Sequence, residues 1–288
     1  MVKGRDSFAA FVFCEKNRQN TGVGCGGTVG LSLKDKVVFV TGASSGIGAA
    51  TAMEFAKLGA RVLLCARRLD KLKAMEPELL KAGAAEAFSF ELDVQNRDEV
   101  ERTINTLPDA WSEIDVLVNN AGLSRGLVKL YEDDIEDWEE MIDTNIKGLL
   151  YVTRAVVPGM VKRNRGHVIN LGSIAGHMVY PNGAVYCATK AAVGFIGDGL
   201  RIDLNGTDVR VTSVDPGMVE TDFASVRFRG NEERAAQTYA NIEPLTPEDI
   251  AETIVWAATR PVRVQIHTVL MTCVAQRNPY VITRNAGK

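Results

Sequence analysis

The stretch KVVFVTGASSGIG, residues 36–48, joins a β-branched apolar run to a glycine-rich turn and then to a helical pattern. The run 36–40 predicts a buried strand, and residues 47–58 predict a helix that ends at Gly59. Glycines at such a turn let backbone N–H groups approach a pyrophosphate at the N-terminus of the helix. The order of strand, glycine turn and helix therefore predicts a dinucleotide-binding fold, although the spacing G-x-x-x-G-x-G differs from the usual G-x-G-x-x-G.

The rest of the chain continues to alternate short apolar runs with amphipathic stretches. Further strands are predicted at 61–65, 87–92, 114–118, 167–171, 209–214 and 267–272. Further helices are predicted from the end of the second strand to residue 81, and at 98–107, 135–162, 184–204 and 247–259. This alternation is typical of a parallel sheet that helices cover on both faces. We predict an α/β fold: a single doubly wound Rossmann domain over residues 31–288, with about seven parallel strands.

Composition excludes several classes of protein. The 288 residues are 46% hydrophobic and carry a net charge of −3, so no basic surface suggests a nucleic-acid partner. No apolar run approaches the roughly 18 residues of a membrane span. The five cysteines are scattered without a C-x-x-C pair, which indicates free thiols in a reducing compartment and predicts a cytoplasmic protein. The three histidines lack a zinc-binding spacing, and no metal site is expected.

The first 30 residues differ from the rest of the chain. GVGCGGTVG, residues 22–30, is glycine-rich and predicts a flexible linker. The preceding apolar run FAAFVF is too short for a convincing secretory signal. Two interpretations of residues 1–30 are open: a flexible N-terminal extension, and a weak organelle-targeting signal.

The end of the second predicted strand indicates which dinucleotide is bound. NAD enzymes usually place a carboxylate there to accept hydrogen bonds from the ribose hydroxyl. Here Arg67 and Arg68 follow the strand, and the first acid is Asp70. Guanidinium groups pair well with a ribose phosphate, so we expect NADP as the cofactor. The alternative is that both arginines begin an exposed helix.

Tyr186 and Lys190 lie four residues apart, and one face of a helix therefore carries both. A free tyrosine has a pKa of about 10, and a nearby ammonium group favours its phenolate form. Ser173 follows the fifth predicted strand, where its hydroxyl can hydrogen-bond a carbonyl substrate. A Tyr–Lys pair alone is common by chance, but its combination with Ser173 and the glycine turn indicates an active site.

Residues 36–275 resemble the short-chain dehydrogenase/reductase family. The matching positions are TGxxxGxG at 41–48, Asp93, Val94, NNAG at 119–122, Asn145, Ser173, Tyr186, Lys190, Pro216, Gly217 and Thr221. The resemblance implies hydride transfer with Tyr186 as acid/base, while Lys190 binds the nicotinamide ribose and lowers the tyrosine pKa. It also implies that Ser173 steadies the substrate oxygen and that Asn145 holds a water that links Lys190 to solvent.

The expected contacts with NADP extend along much of the chain. They are Gly42, Ser44, Ser45, Gly46, Ile47, Gly48, Arg67, Arg68, Asp93, Val94, Asn120, Ala121, Gly122, Tyr186, Lys190, Pro216, Gly217, Val219 and Thr221. Some of these have plainer alternatives. Asn120 and its neighbour Asn119 are expected mainly to satisfy backbone groups at a strand end, and Asp93 is also a turn former. Asn145 is also explained as an ordinary polar helix residue, and His177 is a candidate for the pocket wall.

Six segments resemble the NADP-dependent 3-hydroxy acid dehydrogenases more closely. They are LPDAW (107–111), NNAGLSRG (119–126), DTNIKGLLYVTRAVVPGMV (143–161), DPGMVETDF (215–223), SVRFRG (225–230) and LTPEDIAETI (245–254). The resemblance implies a small 3-hydroxy acid or 3-oxo acid as substrate, and a homotetramer or homodimer. A carboxylate taken out of water needs a cation. We expect Arg227 to bind it, with Arg229 as the second candidate; the alternative is that both are solvated.

Two other functions stay open at this point. One is an NADPH-dependent reductase of neutral carbonyl compounds such as diketones or sugars, which would need no cation in the substrate loop. The other is a nucleotide-binding sensor without turnover, which would be expected to lack part of the catalytic set.

Overall fold

In the computed structural model, which describes residues 30–284, seven strands form one sheet in the order β3-β2-β1-β4-β5-β6-β7. The strands are β1 (Val37–Thr41), β2 (Arg61–Ala66), β3 (Glu86–Glu91), β4 (Ile114–Asn119), β5 (Gly166–Leu171), β6 (Val209–Pro216) and β7 (Thr268–Met271). All neighbouring strands run parallel. The predicted doubly wound fold is confirmed.

Within residues 30–284, ten α-helices connect the strands or follow them. They are α1 (Gly46–Lys57), α2 (Leu69–Ala82), α3 (Arg97–Asn105), α4 (Asp109–Ser112), α5 (Ile135–Ile142), α6 (Leu149–Lys162), α7 (Ala184–Asp203), α8 (Phe223–Arg227), α9 (Glu232–Tyr239) and α10 (Pro247–Ala258). A π-helical turn, Asp143–Gly148, joins α5 to α6, so the helix predicted over 135–162 is continuous. The sequence analysis missed the short helices α4, α8 and α9.

Two hydrophobic layers sandwich the sheet, because successive side chains of a strand point to opposite faces. Val38 and Val40 of β1 are buried in the layer that contains Phe55 of α1 and the apolar face of α10. Their neighbour Phe39 is buried in the opposite layer, against residues of α3 and α6 such as Val152. Burial of each such side chain contributes about 1.5–3 kcal/mol, so the layers fix the strands and the loops that leave them.

Some expectations fall on parts of the chain that the structure leaves out. The flexible extension and the targeting signal considered for residues 1–30 lie outside the described residues, except for Gly30. Within residues 30–284, no helix is long and apolar enough to cross a membrane. The three cysteines of that range, Cys65, Cys187 and Cys273, are buried free thiols.

Candidate active site

A cavity of about 670 Å³ opens at the carboxyl edge of the sheet, where parallel α/β folds bind their ligands. Its walls include every predicted site residue apart from Gly48 and Asn145. Predicted site residues as far apart in the sequence as Gly42 and Arg227 thus meet around one cavity.

The glycine turn lies against the loop after β4. Gly42 has a φ of +63°, and a Cβ there would lie 2.8 Å from Cα of Ala121. A Cβ on Gly48 would lie 2.4 Å from Nδ2 of Asn120. Gly48 is buried behind the turn and allows α1 to pack closely, while Gly42 and Gly46 line the cavity, so a contact of Gly48 with the cofactor stays a prediction.

Asn120 fastens the two loops together. Its Nδ2 donates to the backbone oxygens of Thr41 at 2.8 Å and Gly42 at 3.1 Å. The Thr41 hydroxyl in turn accepts the backbone N–H groups of Asn120 and Ala121 at 3.1 and 3.0 Å. Asn119 is buried and donates to the side chains of Thr153 and Asn170 instead of to the backbone. Asn120 therefore has the expected structural role and also forms part of the wall.

Arg68 extends over the glycine turn. Its Nη2 donates to the hydroxyls of Ser44 and Ser45 at 2.9 Å each. Ser45 precedes α1, but its side chain makes no capping hydrogen bond with the helix. Arg67 and Arg68 are both exposed on the cavity wall. Hydroxyls, guanidinium groups and a helix N-terminus together fit the phosphates of a dinucleotide.

Asp93 and Val94 follow β3 and form another part of the wall. The Asp93 carboxylate accepts the backbone N–H of Gln95 at 3.1 Å, so Asp93 also forms the turn considered as its alternative role. Val94 lies against the π-helical turn, because a Cβ on Gly148 would lie 2.7 Å from Cγ2 of Val94. This contact requires a glycine at position 148 and fixes the β3 loop against α6.

Ser173, Tyr186 and Lys190 meet at one end of the cavity. The Ser173 hydroxyl accepts the backbone N–H of Ala175 at 3.1 Å and donates to the oxygen of Pro216 at 3.4 Å. The Lys190 ammonium donates to the oxygen of Leu171 at 2.8 Å and lies 5.9 Å from the centre of the Tyr186 ring. Tyr186 and Lys190 lie one turn apart on α7, as predicted.

Burial shifts the pKa values of these two groups in opposite directions. It raises the pKa of Tyr186 above 10, although the charge of Arg227 and a hydrogen bond with Ser173 oppose the rise. It lowers the pKa of Lys190 to about 8, and the charge of Asp215 opposes that change. Arg227 is the cation that opposes the rise in the Tyr186 pKa, and the expected effect of Lys190 on that pKa stays a prediction.

Asn145 lies behind the cavity wall, and its predicted role of holding a water that links Lys190 to solvent stays a prediction. Its Nδ2 donates to the oxygen of Leu123 at 2.8 Å and to the Thr189 hydroxyl at 3.0 Å, and its Oδ1 accepts the Leu123 N–H at 2.8 Å. A Cβ on Gly122 would lie 3.2 Å from Asn145 Oδ1 and 3.5 Å from Lys190 Nζ. Asn145 therefore supports the loop next to Lys190 and is more than an ordinary polar helix residue.

Arg227 lies in the cavity wall next to Tyr186. Its guanidinium carbon is 5.3 Å from the centre of the Tyr186 ring and 5.0 Å from that of Phe223. Nε donates to the Ser124 hydroxyl at 3.1 Å, and Nη2 donates to the Tyr180 hydroxyl at 3.3 Å. Within residues 30–284, no carboxylate lies within 4.0 Å of this cation. Arg227 thus carries a positive charge into the cavity without an acidic partner.

Arg229 is excluded as the second candidate for binding a substrate carboxylate. Its guanidinium pairs with Asp137, its side chain is 60% exposed, and it does not line the cavity. His177 is not part of the wall either; its Nε2 hydrogen-bonds Asp215.

Several residues of the site were not predicted from the sequence: Tyr180, Gln276 and Arg284 in the cavity wall, and Ser124 outside it. Tyr180 and Ser124 orient Arg227, and Gln276 accepts the backbone N–H of Met218 at 2.8 Å. Arg284 also lines the cavity and donates to backbone oxygens at the end of α9. Nothing in the local spacing marks these residues, because each contact joins distant parts of the chain.

Comparison with known proteins agrees with this geometry. The NADP-dependent 3-hydroxy acid dehydrogenase YdfG of Salmonella typhi is 51% identical over 241 residues, which are 83% of this chain and 96% of that protein. The NADP-dependent 3-hydroxy acid dehydrogenase of Schizosaccharomyces pombe is 42% identical over 240 residues, covering 83% and 93% of the two chains.

Two solved structures of serine dehydrogenases are also similar to this chain. A closed form of serine dehydrogenase complexed with NADP+ superposes with a TM-score of 0.81 at 45% identity, covering 87% of this chain and all of that one. Serine dehydrogenase from Escherichia coli superposes with a TM-score of 0.73 at 42% identity, covering 83% and 99%. Residues 36–232 match the family model described as short chain dehydrogenase, and the chain belongs to that family.

Proposed function

We propose that this protein is an NADP-dependent oxidoreductase that transfers a hydride between NADP(H) and a small 3-hydroxy acid or 3-oxo acid, with Tyr186 as the acid/base. The relatives named above act on 3-hydroxy acids with NADP, which supports both the reaction and the cofactor. The observation that carries the proposal is Arg227, a cation without an acidic partner among the described residues, next to the Tyr186 ring.

In the oxidative direction, the substrate hydroxyl lies between Tyr186 and Ser173. NADP+, when bound, would supply the acceptor for the hydride that leaves the carbinol carbon. The Tyr186 phenolate takes the hydroxyl proton, and the Ser173 hydroxyl holds the oxygen as the carbonyl forms. Lys190, anchored on the Leu171 oxygen, stabilises the phenolate by its charge and binds the nicotinamide ribose.

The substrate carboxylate pairs with Arg227. In a 3-hydroxy acid, one carbon separates the carbinol carbon from the carboxylate, so the two groups bind close together. The guanidinium is held by Ser124 and Tyr180 and retains N–H groups for a carboxylate. A site for neutral carbonyls needs no such cation, which favours the acid over the alternative reductase. A sensor without turnover needs no complete set of Ser173, Tyr186 and Lys190.

Arg67 and Arg68 bind the 2′-phosphate of NADP, and the glycine turn binds its pyrophosphate. Arg68 contacts Ser44 and Ser45, so hydrogen-bond donors for phosphate lie close together at the glycine turn. Asp93 and Val94 contact the adenine, and the loop from Pro216 to Thr221 faces the nicotinamide end.

We further propose a homotetramer, or at least a homodimer, in the cytoplasm. Phe195 and Ile202 lie seven positions apart on α7 and are 80% and 74% exposed, which leaves an apolar stripe that a second subunit would cover. The buried free thiols of Cys65, Cys187 and Cys273 agree with a reducing compartment.

A substrate panel tests the function. With NADP+, we expect turnover of at least one of serine, allo-threonine and 3-hydroxyisobutyrate, with kcat/KM about tenfold or more above that for a neutral alcohol of equal size. A charge-assisted hydrogen bond of about 1.5–3 kcal/mol gives this margin. Turnover of neutral alcohols alone would support the alternative reductase, and NADP binding without turnover of the panel in either direction would support the sensor.

Loss of the arginine charges should change the cofactor preference. Replacing both Arg67 and Arg68 with glutamine should weaken NADP binding about 10²- to 10⁴-fold, because each guanidinium–phosphate contact contributes roughly 1.5–3 kcal/mol. NAD binding should change much less, as measured by fluorescence titration of both reduced cofactors. The control is Arg102→Gln, an exposed arginine on α3 away from the cavity. Equal losses for both cofactors would contradict the phosphate contact.

Loss of the Arg227 charge should affect acids selectively. Arg227→Met preserves much of the side-chain length and should lower kcat/KM for a 3-hydroxy acid by roughly 2–4 kcal/mol, or about 30- to 800-fold. Because Arg227 also lowers the pKa of Tyr186, a neutral alcohol should lose some activity as well, and the ratio of the two losses is the readout. Arg229→Met is the matched control on the same loop. A ratio near one would mean that Arg227 does not bind the carboxylate.

A further inference from the structure

The carboxylate of Asp215 is buried at the end of β6, immediately before Pro216. One oxygen accepts the Ser213 hydroxyl, and the other bonds Nε2 of His177. The Asp215 side chain is 5% exposed, whereas that of His177 is 44% exposed. The imidazole therefore covers a carboxylate that has no access to water of its own, and it holds that carboxylate in one orientation.

Asp215 touches the backbone that carries the catalytic groups. A Cβ on Gly172 would lie only 2.0 Å from Oδ1 of Asp215, so position 172 accepts no side chain. On one side of Gly172, the Leu171 oxygen accepts the Lys190 ammonium at 2.8 Å. On the other side, the Ser173 hydroxyl donates to the oxygen of Pro216. The carboxylate thus lies at the segment that positions both Lys190 and Ser173.

Asp215 also supplies the negative charge that the buried Lys190 requires. Within the described part of the chain, no carboxylate forms a direct ion pair with Lys190, and its ammonium has the Leu171 oxygen as hydrogen-bond partner. An ammonium removed from water is stabilised by a nearby negative charge. The charge of Asp215 acts in that direction, because it raises the pKa of Lys190 against the effect of burial.

The other titratable groups around Lys190 supply no negative charge. Tyr186 lies one turn away on α7 and is neutral at physiological pH. Arg227 of α8 lies beyond the Tyr186 ring and carries a positive charge. His177 contacts Asp215 and adds no negative charge of its own. Of these groups, Asp215, which lies against Gly172 next to the Leu171 oxygen, is the one whose charge favours the ammonium form of Lys190.

We propose that Asp215, oriented by His177 and Ser213, is a positioning residue for the reaction: its buried charge keeps Lys190 in the ammonium form, and its contact with Gly172 fixes the groups that hold Lys190 and Ser173. This role rests on the proposed oxidoreductase activity. It acts through Lys190 and Ser173 and requires no contact with substrate.

The pH dependence of the reductive reaction tests this role. In that direction Tyr186 must be protonated, and because burial raises the pKa of Tyr186 and lowers that of Lys190, we expect the alkaline loss of activity to report the deprotonation of Lys190. The isosteric substitution Asp215→Asn removes the charge. It should move this alkaline loss of kcat, at saturating NADPH, to lower pH by about 1 unit or more. Asp208→Asn, an exposed residue in the loop before β6, is the control and should show the wild-type profile.

A merely structural role predicts a different result. If Asp215→Asn lowers kcat equally at every pH, or lowers only the melting temperature, the charge proposal is overturned. Wild-type protein without NADP-linked turnover would instead contradict the proposed function.

The His177 variants test the orientation of the carboxylate and do not alter the core. His177→Gln retains a donor for Asp215 and should keep kcat within about threefold of the wild type. His177→Ala removes the donor and should lower kcat about tenfold, which corresponds to the loss of one hydrogen bond to a charged group. Equal activity of both variants with the wild type would overturn the role of His177. If Asp215→Asn does not fold, this pair decides the proposal.

Discussion

The site depends on burying an ammonium and a phenol side by side, away from water. Burial lowers the pKa of Lys190 and raises that of Tyr186, so isolation from water disfavours the charged form of both groups. Proton transfer needs the phenolate to be accessible, and the ammonium favours it. The surrounding groups therefore have to stabilise the charged forms. The Leu171 oxygen and Asp215 stabilise the Lys190 ammonium, and Arg227 stabilises the Tyr186 phenolate.

The parallel sheet makes this arrangement possible. Because all strands run in one direction, their carboxyl ends and the loops that follow meet at a single edge. Asn120 fastens the glycine turn to the loop after β4, and Asn145 fastens that loop to α7 through Leu123 and Thr189. These buried hydrogen bonds join the part of the cavity that fits the dinucleotide to the part that carries the catalytic groups.

The sequence predicts those features that depend on local spacing. Three such features are the glycine turn, the Tyr186–Lys190 pair and the alternation of strands and helices. Each involves residues of one element or of elements that are adjacent in the sequence. Arg227 was predicted from its segment, but its partner Ser124 lies 103 positions away, and no local pattern indicates that contact. The helices α8 and α9 are too short for a clear period, and Gln276 reaches Met218 across 58 positions. Motif position also does not distinguish a residue in the cavity wall from one that packs behind it, as Gly48 and Asn145 do.

The substitution Tyr186→Phe tests the central claim most directly, because it removes only the hydroxyl and keeps the ring between Lys190, Phe223 and Arg227. NADPH affinity should stay within about threefold of the wild type, while kcat should fall by at least roughly 10²–10⁴-fold, the usual contribution of a general acid/base. Retained NADPH binding with turnover within about tenfold of the wild type would contradict the account, since the proton would then be moved by another group.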